Sequence, residues 1–165
     1  MAKGHWKVHL KKDAHKFSST HLTLFPDGTK EKLHGHNYQV GLTVGLADAS
    51  FSEMIPFSIF KDALRKICVE LDEHILMPAK NKWVSGTEKG KSLELNICGE
   101  IYVFPAAEVR FLPVENVTVE LLATYIAERL QESLTTFRMI TDLEVNIEET
   151  AGQSASYCVG VHARE

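Results

Sequence analysis

Between His34 and Gly45 the chain alternates with a period of two: His34, His36, Tyr38, Val40, Leu42 and Val44 fall on one side, and Gly35, Asn37, Gln39, Gly41, Thr43 and Gly45 on the other. Successive side chains of a β-strand point to opposite faces, so this segment reads as one strand with an apolar face. Both histidines then lie on that face, close together and pointing the same way.

The rest of the chain supplies partners for such a strand. Trp6, Val8 and Leu10 alternate with Lys7, His9 and Lys11, and Phe17, Ser19 and His21 continue the extended reading beyond Asp13. Pro26-Asp27-Gly28-Thr29 is a turn. Pro56 suits a first helical turn, and Phe60, Ala63, Leu64, Ile67, Cys68 and Leu71 recur at helical spacing, predicting a helix over about 57–71 that Pro78 forbids to continue. Residues 79–92, rich in Lys, Gly and Ser, read as a loop, and Leu93 to Phe104 as a hairpin about Cys98-Gly99-Glu100. Pro105 and Pro113 bracket an irregular connection. After the possible caps Asn116 and Thr118, Leu121, Leu122, Tyr125, Ile126, Leu130 and Leu134 form a second amphipathic helix. Two strands, Leu143 to Glu149 and Ser156 to His162, close the chain. This order predicts an α+β fold: an antiparallel sheet of about four main strands, two helices on one face, and a small β insert. The uncovered face and edges predict assembly with other copies.

Composition narrows the function. The 165 residues, 44% hydrophobic and 24% charged, suit one compact domain over 1–165, and a chain of this size buries about 70% of its unfolded surface without staples. A net charge of −4 with no basic half argues against bulk nucleic-acid binding. The lysines at 3, 7, 11, 12 and 16 read as a solvated strand face. Three scattered cysteines, Cys68, Cys98 and Cys158, make neither a disulfide framework nor a zinc knuckle. With no signal-like or spanning apolar run, a cytoplasmic protein without membrane contact is expected.

Three groups of residues could carry chemistry. His34 and His36 on one strand face, with His21 from a neighbouring strand, could share a metal with an open fourth position. Glu149 follows Val145 and Ile147 on the apolar side of its strand. It either turns into water at the strand end or faces the core and anchors a ligand with paired N–H donors. Asp72, Glu73 and His74 are either a carboxylate–imidazole pair for proton transfer or a solvated helix end. Thr118 and Glu120 read as a helix start.

Together these residues resemble a known family. Phe17-Ser18-Ser19-Thr20-His21, Leu33-His34-Gly35-His36-Asn37-Tyr38, Leu71-Asp72 and Glu149-Thr150 are similar, in that order, to the 6-pyruvoyltetrahydropterin and 6-carboxytetrahydropterin synthases. The resemblance implies the tunnelling fold, zinc held by His21, His34 and His36, and trimers that pair into hexamers. It further implies a 7,8-dihydroneopterin triphosphate substrate whose pterin ring Glu149 anchors, with Thr118 and Glu120 nearby. The cysteine that common types carry four or six residues before the first His of HGH is absent; Lys30 and Gly28 stand there. Glu31, three residues before that His, matches a third type instead, which implies side-chain cleavage to 6-hydroxymethyl-7,8-dihydropterin with Glu31 as base. Aligned without a gap, Glu73 occupies the place of the family's catalytic histidine and His74 comes one residue late. His74, with Asp72, is expected to take the role through a local backbone shift. The alternatives are a pyruvoyl or carboxy product, or a pterin- or purine-binding module without catalysis. Residues 79–113 have no counterpart of that length in the short members.

Overall fold

The computed structural model describes residues 5–162; Lys3 and both ends of the expected 1–165 unit lie outside the described residues. The strands are β1 (Trp6–His21), β2 (His34–Leu46), β3 (His74–Pro78), β4 (Val84–Lys89), β5 (Ser92–Ile97), β6 (Glu100–Pro105), β7 (Val109–Leu112), β8 (Ile140–Thr150) and β9 (Gln153–Gly160), and the helices α1 (Phe57–Leu71) and α2 (Val119–Leu134). The main sheet runs β7-β3-β1-β2-β8-β9, and β4-β5-β6 form a separate three-stranded sheet.

The alternating segment becomes β2 at the centre of the main sheet, antiparallel to β1 and β8. Leu10 opposes Leu42 and Phe17 opposes Tyr38, and all four are buried. Leu10 and Phe17 are an odd number of residues apart, so a regular strand would send them to opposite faces. A bulge between Lys11 and Lys16 inserts the odd number of residues needed to bring both onto the core. Gln39 ties the bulge to β2, its side-chain N–H donating to the carbonyls of Lys12 (2.8 Å) and His15 (3.0 Å). Exposed Lys7, Lys11, Lys12 and Lys16 line the outer surface of β1.

Both helices cover the core face of this sheet, α1 against β1 and α2 against β8 and β9. Phe60, Leu64 and Leu71 from α1 and Leu122, Ile126 and Leu130 from α2 enter one apolar core with Val40, Val145 and Ile147. Pro56 is the residue immediately before α1, where its missing N–H costs nothing.

The α+β class and the two-helix layer are as expected, but the sheet has six strands rather than four and is mixed. β3 runs parallel to β1, and β7 parallel to β3. These are short strands of five and four residues, too brief for a period to declare itself. β7 and a short 3₁₀ turn, Ala106–Glu108, replace the irregular connection expected between Pro105 and Pro113. Within the expected loop 79–92, Val84–Lys89 is a strand. Its Val-Ser-Gly-Thr-Glu-Lys sequence has no apolar face, and it is ordered by pairing along β5. The last strand ends at Gly160, short of His162. A second apolar cluster of Leu22, Leu24, Met77, Leu93, Leu95 and Ile97 joins the small sheet to the segment between β1 and β2.

Candidate active site

Two adjacent strand ends create the central cluster. His21 closes β1, His34 opens β2, and the two are directly opposed; His36 opposes Ser19. Opposed residues of an antiparallel pair share a face, so the three imidazoles converge. Their ring centroids are 4.6, 4.9 and 5.2 Å apart, and one nitrogen from each lies within 4.8 Å of the others.

Backbone carbonyls orient two of the rings. His21 Nδ1–H donates to the carbonyl of Val117 at 2.8 Å, and His34 Nδ1–H to that of Lys32 at 2.7 Å. Both rings are thereby left with Nε2 as the free lone-pair donor, the arrangement that fixes a ligating histidine's tautomer. His21 is only 3% exposed, and its Nε2 is buried without a hydrogen-bond partner. Burial pushes its pKa down from 6.5 to about 4; the His34 and His36 rings also lower it, against opposing contributions from the Val117 carbonyl and Glu31. A neutral, buried nitrogen with no proton partner is costly unless something takes its lone pair. A divalent cation fits that requirement and the three-imidazole donor set, with positions left over for substrate or water.

Glu149 approaches the cluster from β8, with its carboxylate 3.8 Å from His36 Nε2. It also faces Tyr38, whose buried hydroxyl has no hydrogen-bond partner; burial and then the Glu149 charge hold that phenol well above its usual range. The side chain is thus directed toward the histidines and is largely covered. Thr118 caps α2, its hydroxyl accepting the Leu121 N–H at 3.4 Å, and exposed Glu120 lies in the first turn. Thr118 directly follows Val117, whose carbonyl holds His21.

Glu31 lies in the segment joining β1 to β2, with its side chain exposed and its charge acting on His21. Asp72 and His74 follow α1. The intervening Glu73 takes a left-handed φ of +56°, which a non-glycine residue adopts at a cost of about 1–2 kcal/mol. That turn lets His74 open β3 opposite Ser19, in a row running His36, Ser19, His74 across the sheet. The Asp72 carboxylate does not orient the ring: it accepts the Ser18 N–H at 2.7 Å, and it is the Asp72 backbone carbonyl that lies 2.5 Å from His74 Nδ1. The sequence reading missed Asn116 as more than a cap. Its amide oxygen accepts the Leu24 N–H and its amide N–H donates to the Leu24 carbonyl, joining the exit of β1 to the start of α2. No local pattern signals that pairing, which spans 92 residues.

An α+β sheet whose central strands end in three convergent histidines, with the Glu149 carboxylate beside them, defines a class of protein with a cluster that could hold a metal ion through three ligands. The family model described as 6-pyruvoyl tetrahydropterin synthase matches residues 9–159, and the chain belongs to that family of pterin synthases. A protein of Methanocaldococcus jannaschii carrying the provisional name 6-carboxy-5,6,7,8-tetrahydropterin synthase is 32% identical over 145 residues, covering 86% of this chain and 88% of its own. The crystal structure of 6-pyruvoyl tetrahydropterin synthase from Plasmodium vivax matches with a TM-score of 0.87 at 26% identity, over 95% of this chain and 99% of that one. The Plasmodium falciparum enzyme matches with a TM-score of 0.86 at 26% identity, over 94% and 98%. Two further P. vivax structures carry Cys or Ala in place of a glutamate described as the catalytic residue. Among the described residues, no helix is long and apolar enough to cross a membrane.

Proposed function

We propose that this chain is a zinc-dependent lyase that cleaves the side chain of 7,8-dihydroneopterin triphosphate to give 6-hydroxymethyl-7,8-dihydropterin. The observation that carries this reading is the charge of Glu31 acting on His21 of the histidine cluster, three residues before His34 in a segment that lacks the cysteine of the common types. The P. vivax proteins in which a glutamate is named catalytic lend support.

His21, His34 and His36 would hold the metal. When bound, it would supply Lewis acidity that makes side-chain hydroxyl groups of the substrate more acidic. Glu149 receives the paired N–H groups of the aminopyrimidine ring, a charge-assisted contact that fixes the pterin. Thr118 and Glu120 border the ring at the start of α2. Glu31 takes the proton from a side-chain hydroxyl as the neighbouring C–C bond breaks, the hydroxyl carbon departs with the phosphorylated fragment as an aldehyde, and the carbon left on the pterin is protonated by His74, which Asp72 holds in place through its backbone carbonyl. A carboxylate is a weak base in water and strengthens when dried. Glu31 is exposed in the single chain, so the working enzyme is a homo-oligomer, a trimer or hexamer, in which a neighbouring copy closes the site. Its substrate is soluble, and we place the enzyme in the cytoplasm.

A second reading, a 6-carboxy- or 6-pyruvoyltetrahydropterin product, is favoured by the name of the M. jannaschii relative. The test is to incubate zinc-loaded protein with 7,8-dihydroneopterin triphosphate and identify products by mass. The hydroxymethyl product is expected. A carboxy or pyruvoyl product would support the second reading, and no product at all would indicate a pterin- or purine-binding module. Glu31→Gln should abolish turnover with zinc still bound; retained turnover would remove Glu31 from its role.

A further inference from the structure

Resting on the assignment of Glu31 as base, we propose that the three-stranded insert β4-β5-β6 is a clamp that sets the position of the Glu31 carboxylate, with Lys30 as the positioning residue.

Local hydrogen bonds explain why the segment between β1 and β2 turns back on itself. Leu24 and Lys30 form an isolated antiparallel bridge, the Phe25 N–H donates to the Thr29 carbonyl at 2.9 Å, and the Glu31 N–H donates to the Thr23 carbonyl at 2.9 Å. They do not fix where the turn points. The insert supplies that constraint. Lys30 Nζ donates to the Tyr102 hydroxyl at 2.7 Å, lies 3.0 Å from the Glu100 carboxylate, and sits 5.2 Å above the Tyr102 ring centroid. Tyr102 in turn donates to Glu100 at 3.1 Å. A surface lysine is ordinarily free, but the Lys30 side chain is only 10% exposed. The tip of the same turn meets the insert's entry: Gly28, at a φ of +86°, lies so close to Trp83 that a Cβ there would come within 3.2 Å of the indole. Leu22 and Leu24 share an apolar cluster with Leu93, Leu95 and Ile97 of β5.

The Glu31 carboxylate makes no hydrogen bond or salt bridge among the described residues, while its N–H is held by the Thr23 carbonyl, so the placement of its backbone is what aims it. The side chain immediately before it is the anchored one. Displacing a reacting group by about 1 Å can cost up to 100-fold in rate.

The test combines steady-state kinetics of the metal-loaded protein with hydrogen exchange at the Glu31 amide in the absence of substrate. In Lys30→Met, kcat should fall about 10-fold or more while KM and metal content hold, and the Glu31 amide should exchange faster. Lys30→Arg should recover most of the activity. Tyr102→Phe, which deletes one oxygen, should give an intermediate loss and decides the matter if Lys30→Met does not fold. Val103→Thr, at an exposed position next to Tyr102 on β6, should match the parent. A folded Lys30→Met protein with unchanged kcat, or unchanged exchange at Glu31, overturns the clamp. If Glu31→Gln keeps full turnover, the base assignment fails by itself, and exchange at Glu31 still judges whether the insert fixes this segment.

Discussion

His21 carries more of the candidate centre than its two companions because it is both the most buried of the three and the one held from the opposite side of the core. Replacing it by Ala should release bound zinc and also leave the Val117 carbonyl without its partner. An unfilled buried acceptor costs about 1–3 kcal/mol, so His21→Ala should lose both metal and stability. His36→Ala should lose metal with little effect on the melting of the metal-free protein; metal analysis and calorimetry on the two variants separate these outcomes. A second residue-scale prediction concerns pH. Glu70 bonds Arg129 at 2.5 Å, tying α1 to α2, and that hydrogen bond holds its carboxyl below the usual 4.5. A folded-state value below the unfolded one adds stability that is fully present above about 4.5 and is lost as pH falls through the folded value. Urea midpoints of the metal-free parent should therefore drop more steeply below pH 4.5 than those of Glu70→Gln.

At the scale of elements, the join between β1 and α2 controls the site. Asn116 satisfies both backbone groups of Leu24, at 3.1 and 2.9 Å, and its oxygen also accepts the Val117 N–H at 3.0 Å. Asn116→Ala should cost about 2–3 kcal/mol, lowering the melting temperature by roughly 5–10 °C. Because Val117 orients His21, zinc affinity should fall about 10-fold as well, measurable by competition with a chelator. This join also marks how far the sequence could be read. β1, β2, both helices and β8 are long and patterned, so their alternation or helical spacing exposes them; strand parity places His34 and His36 together, while His21 joins them through the register of β1 on β2. β3 and β7 owe their place to parallel neighbours rather than to a pattern of their own. β4 is polar throughout. The position of His74 depends on a left-handed Glu73, and that of Glu149 on the end of a strand; neither is fixed by spacing alone, and the Asn116 contact joins segments remote in sequence.

For the molecule as a whole, the proposed assembly would close the exposed Glu31 and cover the outer strands β7 and β9. Sedimentation of the zinc-loaded protein should give a mass that is a multiple of three chains, and dilution into monomers should abolish turnover before it releases zinc. The parallel pairing of β3 with β7 has a different consequence, for how this chain could be shortened. Two antiparallel neighbours can be joined by a two-residue turn, whereas parallel ones need the backbone carried from the far end of one to the near end of the next. The three-stranded sheet lies on that return path. It therefore cannot be pared down to a tight turn as a surface decoration could: a minimised version would have to supply another bridge of comparable span or give up β7, leaving β3 as a bare border.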